Sequence, residues 1–195
     1  MRWLFITYTL PSEPSKARVA VWRKLRKLGA INHQALWILP YSRQRIKDVT
    51  SLIVEIELQR GQGLVVVGAL LDKAREEHVR EAFSRSRDEE YHELIAKCDD
   101  YAKEIEFEVG RKNFIFAEVE ENEEELRKLT EWLTKIERRD VMDASLHRKA
   151  VEKVARCEKL FDEFSKMVYE HVDHAHAPLP PRRGRSNRRR SAVPS

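Results

Sequence analysis

Apolar residues fall into two rhythms along this chain, and the switch between them divides it. Up to about residue 86, short apolar runs alternate with stretches of helical spacing. Residues 2–9 (RWLFITYT) are rich in aromatic and β-branched types and read as a strand. Residues 15–28 place Ala17, Val21, Leu25 and Leu28 on one narrow helical face. Ser12 or Ser15 can cap this helix, Pro14 suits its first turn and Gly29 stops it. Residues 31–39, ending in Leu36, Trp37, Ile38 and Leu39 and closed by Pro40, predict a second strand. Ile46, Val49, Ile53 and Ile56 mark a helix over about 42–60. After Gly61 and Gly63, the apolar run Leu64–Leu70 predicts a strand for the middle of a sheet, and a short helix comes next over about 72–86.

The second half is written almost entirely at helical spacing. Tyr91, Leu94, Cys98, Tyr101 and Ile105 form one seam over residues 88–109. Leu126, Leu129, Leu133 and Ile136 form another over 120–139, and Ala150, Val154, Cys157, Phe161, Phe164 and Val168 a third over 145–172. Charged residues fill the outer faces, the pattern of a helical hairpin or three-helix extension with a tight turn at Asp140–Ser145. The segment 177–195 (APLPPRRGRSNRRRSAVPS) has too little apolar content to offset the entropy of ordering and is expected to be disordered.

The fold class expected is therefore α+β, a small ferredoxin-like βαβαβ(α) domain with its sheet covered on one face, followed by a long-helix bundle and a basic tail. A three-stranded parallel βαβαβ unit is the alternative, and Asn113–Val119 (NFIFAEV) is the candidate fourth strand. The expected divisions are residues 1–87, 88–173 and 174–195.

Charge is segregated along the chain as well. Residues 1–70 have a balance of +7, residues 71–173 of −9, and residues 174–195 carry six arginines and no acid. The net charge of +4 hides this alternation. No acid lies between Lys16 and Lys47, so Lys16, Arg23, Arg26 and Lys27 form an unmixed cationic face on the first helix, opposite its apolar stripe, with Arg18 and Trp22 on the flank. Such a face is either solvated or aimed at a polyanion, and the segregation favours the second reading. Arg182, Arg183, Arg185, Arg188, Arg189 and Arg190 can neutralise phosphates without a fold of their own.

Catalytic motifs are not found: there is no GxGxxG, P-loop, GxSxG or HExxH. His171, Asp173, His174 and His176 make the best metal-like cluster, but a helix end leading into a polar tail accounts for it, and no metal or cofactor is expected. The run Glu118–Glu125 suits the positive end of a helix dipole. Two cysteines outside any CxxC argue for small buried hydrophobes and a cytoplasmic address, and no apolar run is long enough to cross a bilayer.

Three stretches carry a family resemblance: LPSEPSKARVAVWRKLRKLGA followed by WILP, then FSRSRDEEYHEL at 83–94, then FAEVEENEEELRKLTEWLTKIERRD at 116–140. Together they resemble the N-terminal region of the chromate-resistance regulator family ChrB over about residues 1–170. More distantly, the first strand and helix are similar to the ferredoxin-like domain of PaaX-type repressors and of the small CRISPR adaptation nucleases. The resemblance implies a cytoplasmic regulator that binds promoter DNA and responds to chromate; that it is non-enzymatic and a homodimer, joined through a sheet edge or a helical seam, is expected in addition. The matched basic residues are Arg18, Arg23, Lys24, Lys27 and Arg87, and the DNA-facing set expected is Lys16, Arg18, Arg23, Arg26 and Lys27 with the tail arginines. ChrB proteins continue into a second, C-terminal domain where this chain has its arginine tail, so a regulator lacking that sensor domain is expected. The nucleases hold metal on an aspartate near the end of the first strand, and Thr7–Ser15 contains Glu13 but no Asp, which argues against cleavage. The rival expectations are a protein-interaction module built on the acidic helical half and a degenerate nucleic-acid enzyme.

Overall fold

The computed structural model describes residues 1–176 except Pro14. Its elements are β1 (Trp3–Thr9), α1 (Ser15–Lys27), β2 (Ile31–His33), β3 (Leu36–Pro40), α2 (Arg43–Leu58), β4 (Gln62–Gly68), α3 (Lys73–Arg111), α4 (Phe116–Glu137) and α5 (His147–His176). The class is α+β, with one four-stranded sheet in the order β2-β3-β1-β4. Every neighbouring pair is antiparallel, which overturns the parallel alternative.

Alternation along the strands sorts the sheet into two faces. Leu4, Ile6, Trp37 and Leu39 point to one, where Val21 and Leu25 of α1 and Val49, Leu52 and Ile56 of α2 close a core. Trp3, Ile31 and Ile38 point to the other, and α3 covers them with Val79 and Phe83. Phe83 stacks on Trp3 at 5.6 Å between ring centroids. The sheet is thus covered on both faces at this corner, not on one. Phe5 is half-buried, while Leu64 and Val66 of β4 remain exposed.

Four further differences from the sequence expectations have local causes. The strand predicted at 31–39 folds back into β2 and β3, with Gln34 in the left-handed region at φ 58°. The apolar run 64–70 lies in and just beyond β4, at the edge of the sheet rather than its middle. The helices predicted at 72–86 and 88–109 are one helix, α3, with Arg87 inside it. Neither glycine nor proline interrupts residues 73–109, so nothing stops propagation. The candidate strand 113–119 is instead most of the four-residue link between α3 and α4 and the first turn of α4.

α3 joins two cores. Its second half packs with α4 and α5 around Tyr91, Leu94, Cys98, Tyr101, Ile105, Leu133, Ile136, Ala150, Val154, Cys157, Phe164 and Val168, all buried. These are largely the predicted seam residues. Both cysteines are buried and unbridged, with Cys157 Sγ 3.5 Å from the Cys98 carbonyl oxygen. The hydrogen bond between the two thiols, and then burial, push the Cys98 thiol up.

Two glycines constrain the ends of α1 and β1. Gly29, at φ +84°, ends α1 while the Ala30 amide donates to the Leu25 carbonyl at 3.0 Å. Gly61 lies where a β-carbon would come 2.4 Å from the Thr9 carbonyl oxygen and 2.7 Å from Ile56 Cγ2. Backbone on one side and a fully buried side chain on the other leave no room, so Gly61→Ala is expected to cost about 1–3 kcal/mol of overpacking. Urea unfolding measures this; a cost under about 0.5 kcal/mol would mean that the β1 end moves freely.

Candidate nucleic-acid interface

α1 is held to the molecule by few side chains, so most of its surface is free. Val21 and Leu25 are buried and Leu28 packs beside them. Lys16, Arg18, Arg23, Arg26 and Lys27 are not buried, and Val19, Ala20 and Trp22 are exposed beside them. Arg18 Nη2 donates to the Ser12 carbonyl at 2.9 Å, which holds the loop before the helix. The Arg26 guanidinium lies 5.8 Å from the centroid of the Trp22 ring. Lys24 is spent on an ion pair with Glu55 of α2. The tail arginines Arg182, Arg183, Arg185, Arg188, Arg189 and Arg190 lie outside the described residues.

Beside α1 runs a groove of about 1320 Å³ between α1, α2 and the end of α4. Lys24, Lys27, Arg45, Lys135, Arg138 and Arg139 line it, against only Asp48 and Glu55. Arg45, Lys135, Arg138 and Arg139 join Lys27 only through tertiary packing, and no local pattern in the sequence points to them. Arg45 is half-buried, donates to the Pro40 carbonyl at 3.4 Å, and has its guanidinium pKa pulled down by that burial. Lys135 bonds Glu131 at 3.2 Å. Among the described residues Lys27 and Arg138 have no carboxylate partner. A groove with this balance of charge draws anions.

The wall of the groove continues inward. Arg139 of the α4–α5 turn pairs with Glu90 of α3, and Glu90 also accepts from Arg87 Nη2 at 2.8 Å. Arg87 is only 2% exposed, so this matched basic residue is not on the surface with α1. Burial lowers its pKa, Glu90 offsets part of that, and the Arg139 and Arg26 charges add to the lowering. Asp140 accepts from Tyr91 Oη at 3.2 Å and from the Ala144 amide at 3.1 Å, which fixes the turn. Burial, then the Asp140 charge, push the Tyr91 phenol up. Arg139 also touches the end of α1: a β-carbon on Gly29 would come 3.2 Å from Arg139 Cβ.

Among the described residues no helix is long and apolar enough to cross a membrane, and no group of three or more His, Cys, Asp or Glu is arranged to hold a metal. The His171 ring lies 5.6 Å from the Phe114 ring at a tilt of 53°, and the side chains of Asp173, His174 and His176 lie outside the described residues. No curated protein and no solved structure matches the chain significantly. The family model described as "Protein ChrB, N-terminal" does match, over residues 18–175. That span takes in most of α1, the groove and nearly all of the helical unit, and with it the chain belongs to the ChrB N-terminal family.

Proposed function

We propose that the chain is a DNA-binding regulator of chromate resistance whose α1 lies against the phosphate backbone. One observation carries this reading: an acid-free cationic helix face, open to solvent and continuous with a second cationic surface in the groove. Lys16, Arg23, Arg26 and Lys27 are the phosphate contacts, with Arg18 holding the entry loop and the tail arginines adding affinity that does not depend on sequence. The order β-α-β-β-α-β, with an antiparallel sheet in the order β2-β3-β1-β4, supports a ferredoxin-like domain as the carrier of α1. We read the protein as cytoplasmic and non-enzymatic.

A homodimer belongs to this reading, since two copies of α1 on one duplex multiply the contacts. β4 supports it as a sheet edge of seven residues without a single charge, because such an edge is self-complementary about a two-fold axis. Chromate is the effector proposed, a dianion suited to charge-assisted hydrogen bonds from arginine.

Fluorescence anisotropy with the DNA upstream of the protein's own gene is the test. Binding is expected at low salt, weakening linearly in log–log form as salt rises and changing when chromate is added. No binding at low salt would sink the regulator reading. A second reading is favoured by one surface: Phe107, Ile115, Phe116 and Tyr169 are exposed near the α3–α4 connection, with Phe116 edge-on to Tyr169 at 5.3 Å. A protein-interaction module would use that end, and capture of a partner that is abolished by Phe116→Ser would favour it.

A further inference from the structure

The described residues hold a buried junction with more donors than acceptors. Four buried side-chain N–H groups there have no acceptor among the described residues: Trp3 Nε1, Arg87 Nε, Arg87 Nη1 and Arg139 Nε. They belong to one neighbourhood. Phe83, one helical turn before Arg87, stacks on Trp3, and Val141 and Met142, close after Arg139 in the chain, pack into the same cluster. Glu90 is shared by both guanidinium groups, while Asp140 is spent on Tyr91 and the turn amides. Two guanidinium groups therefore share one carboxylate as their direct partner, with the Asp140 charge close by. Native proteins rarely leave buried donors unpaired, and a planar guanidinium with free N–H groups is a good match for an oxyanion, a tetrahedral one included. A water could accept from these groups but would not neutralise them.

Access exists on one side. Arg139 lines the groove beside α1, and the Arg139 and Glu90 side chains each keep 20% of their exposure, against 3% for Arg87. We propose that Arg87 and Arg139 form a binding site for a small tetrahedral dianion, entered from the groove, in which the anion competes with Glu90 for the two guanidinium groups. The site deepens the oxyanion-responsive part of the proposed function and rests on it. Because Arg139 also backs Gly29, an anion that redirects Arg139 acts on the end of α1 and on the groove together.

Calorimetric titration of the full chain with chromate, sulfate and phosphate, at ionic strength held constant with chloride, tests this. Saturable one-to-one binding is expected for at least one oxyanion and not for chloride. A response to chromate alone identifies a selective site, and a similar response to all three a general oxyanion site; either supports the proposal. Arg139→Gln is expected to weaken binding by about 10-fold or more, because it removes a charge-assisted pair. Glu90→Gln is expected to strengthen it several-fold, a direction that a purely structural role for the cluster does not give. Absence of saturable binding overturns the proposal, as does binding that neither substitution changes. If Arg139→Gln does not fold, Glu90→Gln alone decides, and unchanged or weaker binding there overturns it. DNA is absent from the measurement, so failure of the DNA-binding reading leaves the result interpretable.

Discussion

Reversing both Arg23 and Arg26 to glutamate should lower DNA affinity by about 60-fold or more at 0.1 M salt, from counterion release alone. Removing one phosphate-bound cation takes about 0.9 off the salt slope, hence about eightfold in affinity at that concentration, and the added negative charges repel the backbone further. Among the described residues neither arginine has a carboxylate partner, so the fold should tolerate the change. Arg148→Glu on α5, with half the charge change, is the control: its side chain is 92% exposed and pairs only with Glu152, at 3.8 Å, and affinity should stay within about threefold of wild type on the same electrostatic scale. Anisotropy titrations across a salt series separate the outcomes. A double variant that binds as tightly as wild type would move the affinity from α1 to the arginine tail. Equal weakening in variant and control would reduce the effect to net charge.

Removing the Phe164 ring has the largest expected effect on stability. Phe164 is fully buried in the helical core, with the Phe114 ring 6.4 Å away. Phe164→Ala combines the transfer free energy of the missing ring with a cavity between three helices that cannot easily close, about 3–5 kcal/mol. For a chain of this size that is a fall in melting temperature of roughly 10 °C. The exposed Val151→Ala, on the same helix, should change stability by less than about 0.5 kcal/mol. Because α3 contributes Phe83 to the sheet core and Tyr91 to the helical core, one unbroken helix couples the two, and calorimetry should record a single transition shifted as a whole. Two transitions, with only one moved by Phe164→Ala, would mean that the helix frays between the cores.

How much of the fold is legible in the sequence depends on the range of the forces involved. Amphipathic spacing is local, and it correctly marks Val21 and Leu25 of α1, Val49 and Ile56 of α2, and the seams of the helical unit. Pairing direction is not local. Nothing in WLFITYT or LVVVG states which strand lies beside which, so β4 is expected inside the sheet and found at its edge. The β2–β3 hairpin is hidden because Gln34 adopts the left-handed conformation without the Gly or Asn that normally announces it. NFIFAEV has the aromatic and β-branched content of a strand, yet Ile115 stands at the N-cap of α4 and Phe116 opens it, so tertiary packing overrides a short pattern. The cationic face of α1 can be read directly. The groove cannot, since Arg45, Arg138 and Arg139 lie far from Lys27 in the chain and meet it only when α2 and α4 pack beside α1.

α3 has a mechanical consequence as well as a structural one. Thirty-nine residues at about 1.5 Å each make a rod of roughly 58 Å, anchored to the sheet at Phe83 and to the other two long helices from Tyr91 onward. Arg87 and Glu90 sit between the anchors, near the pivot of this lever. A tilt of about 5° there would carry the distant end of the rod through several ångströms, by simple geometry on that length. By the same geometry, a tilt at Arg87 and Glu90 would be read at the Phe107 end of the rod.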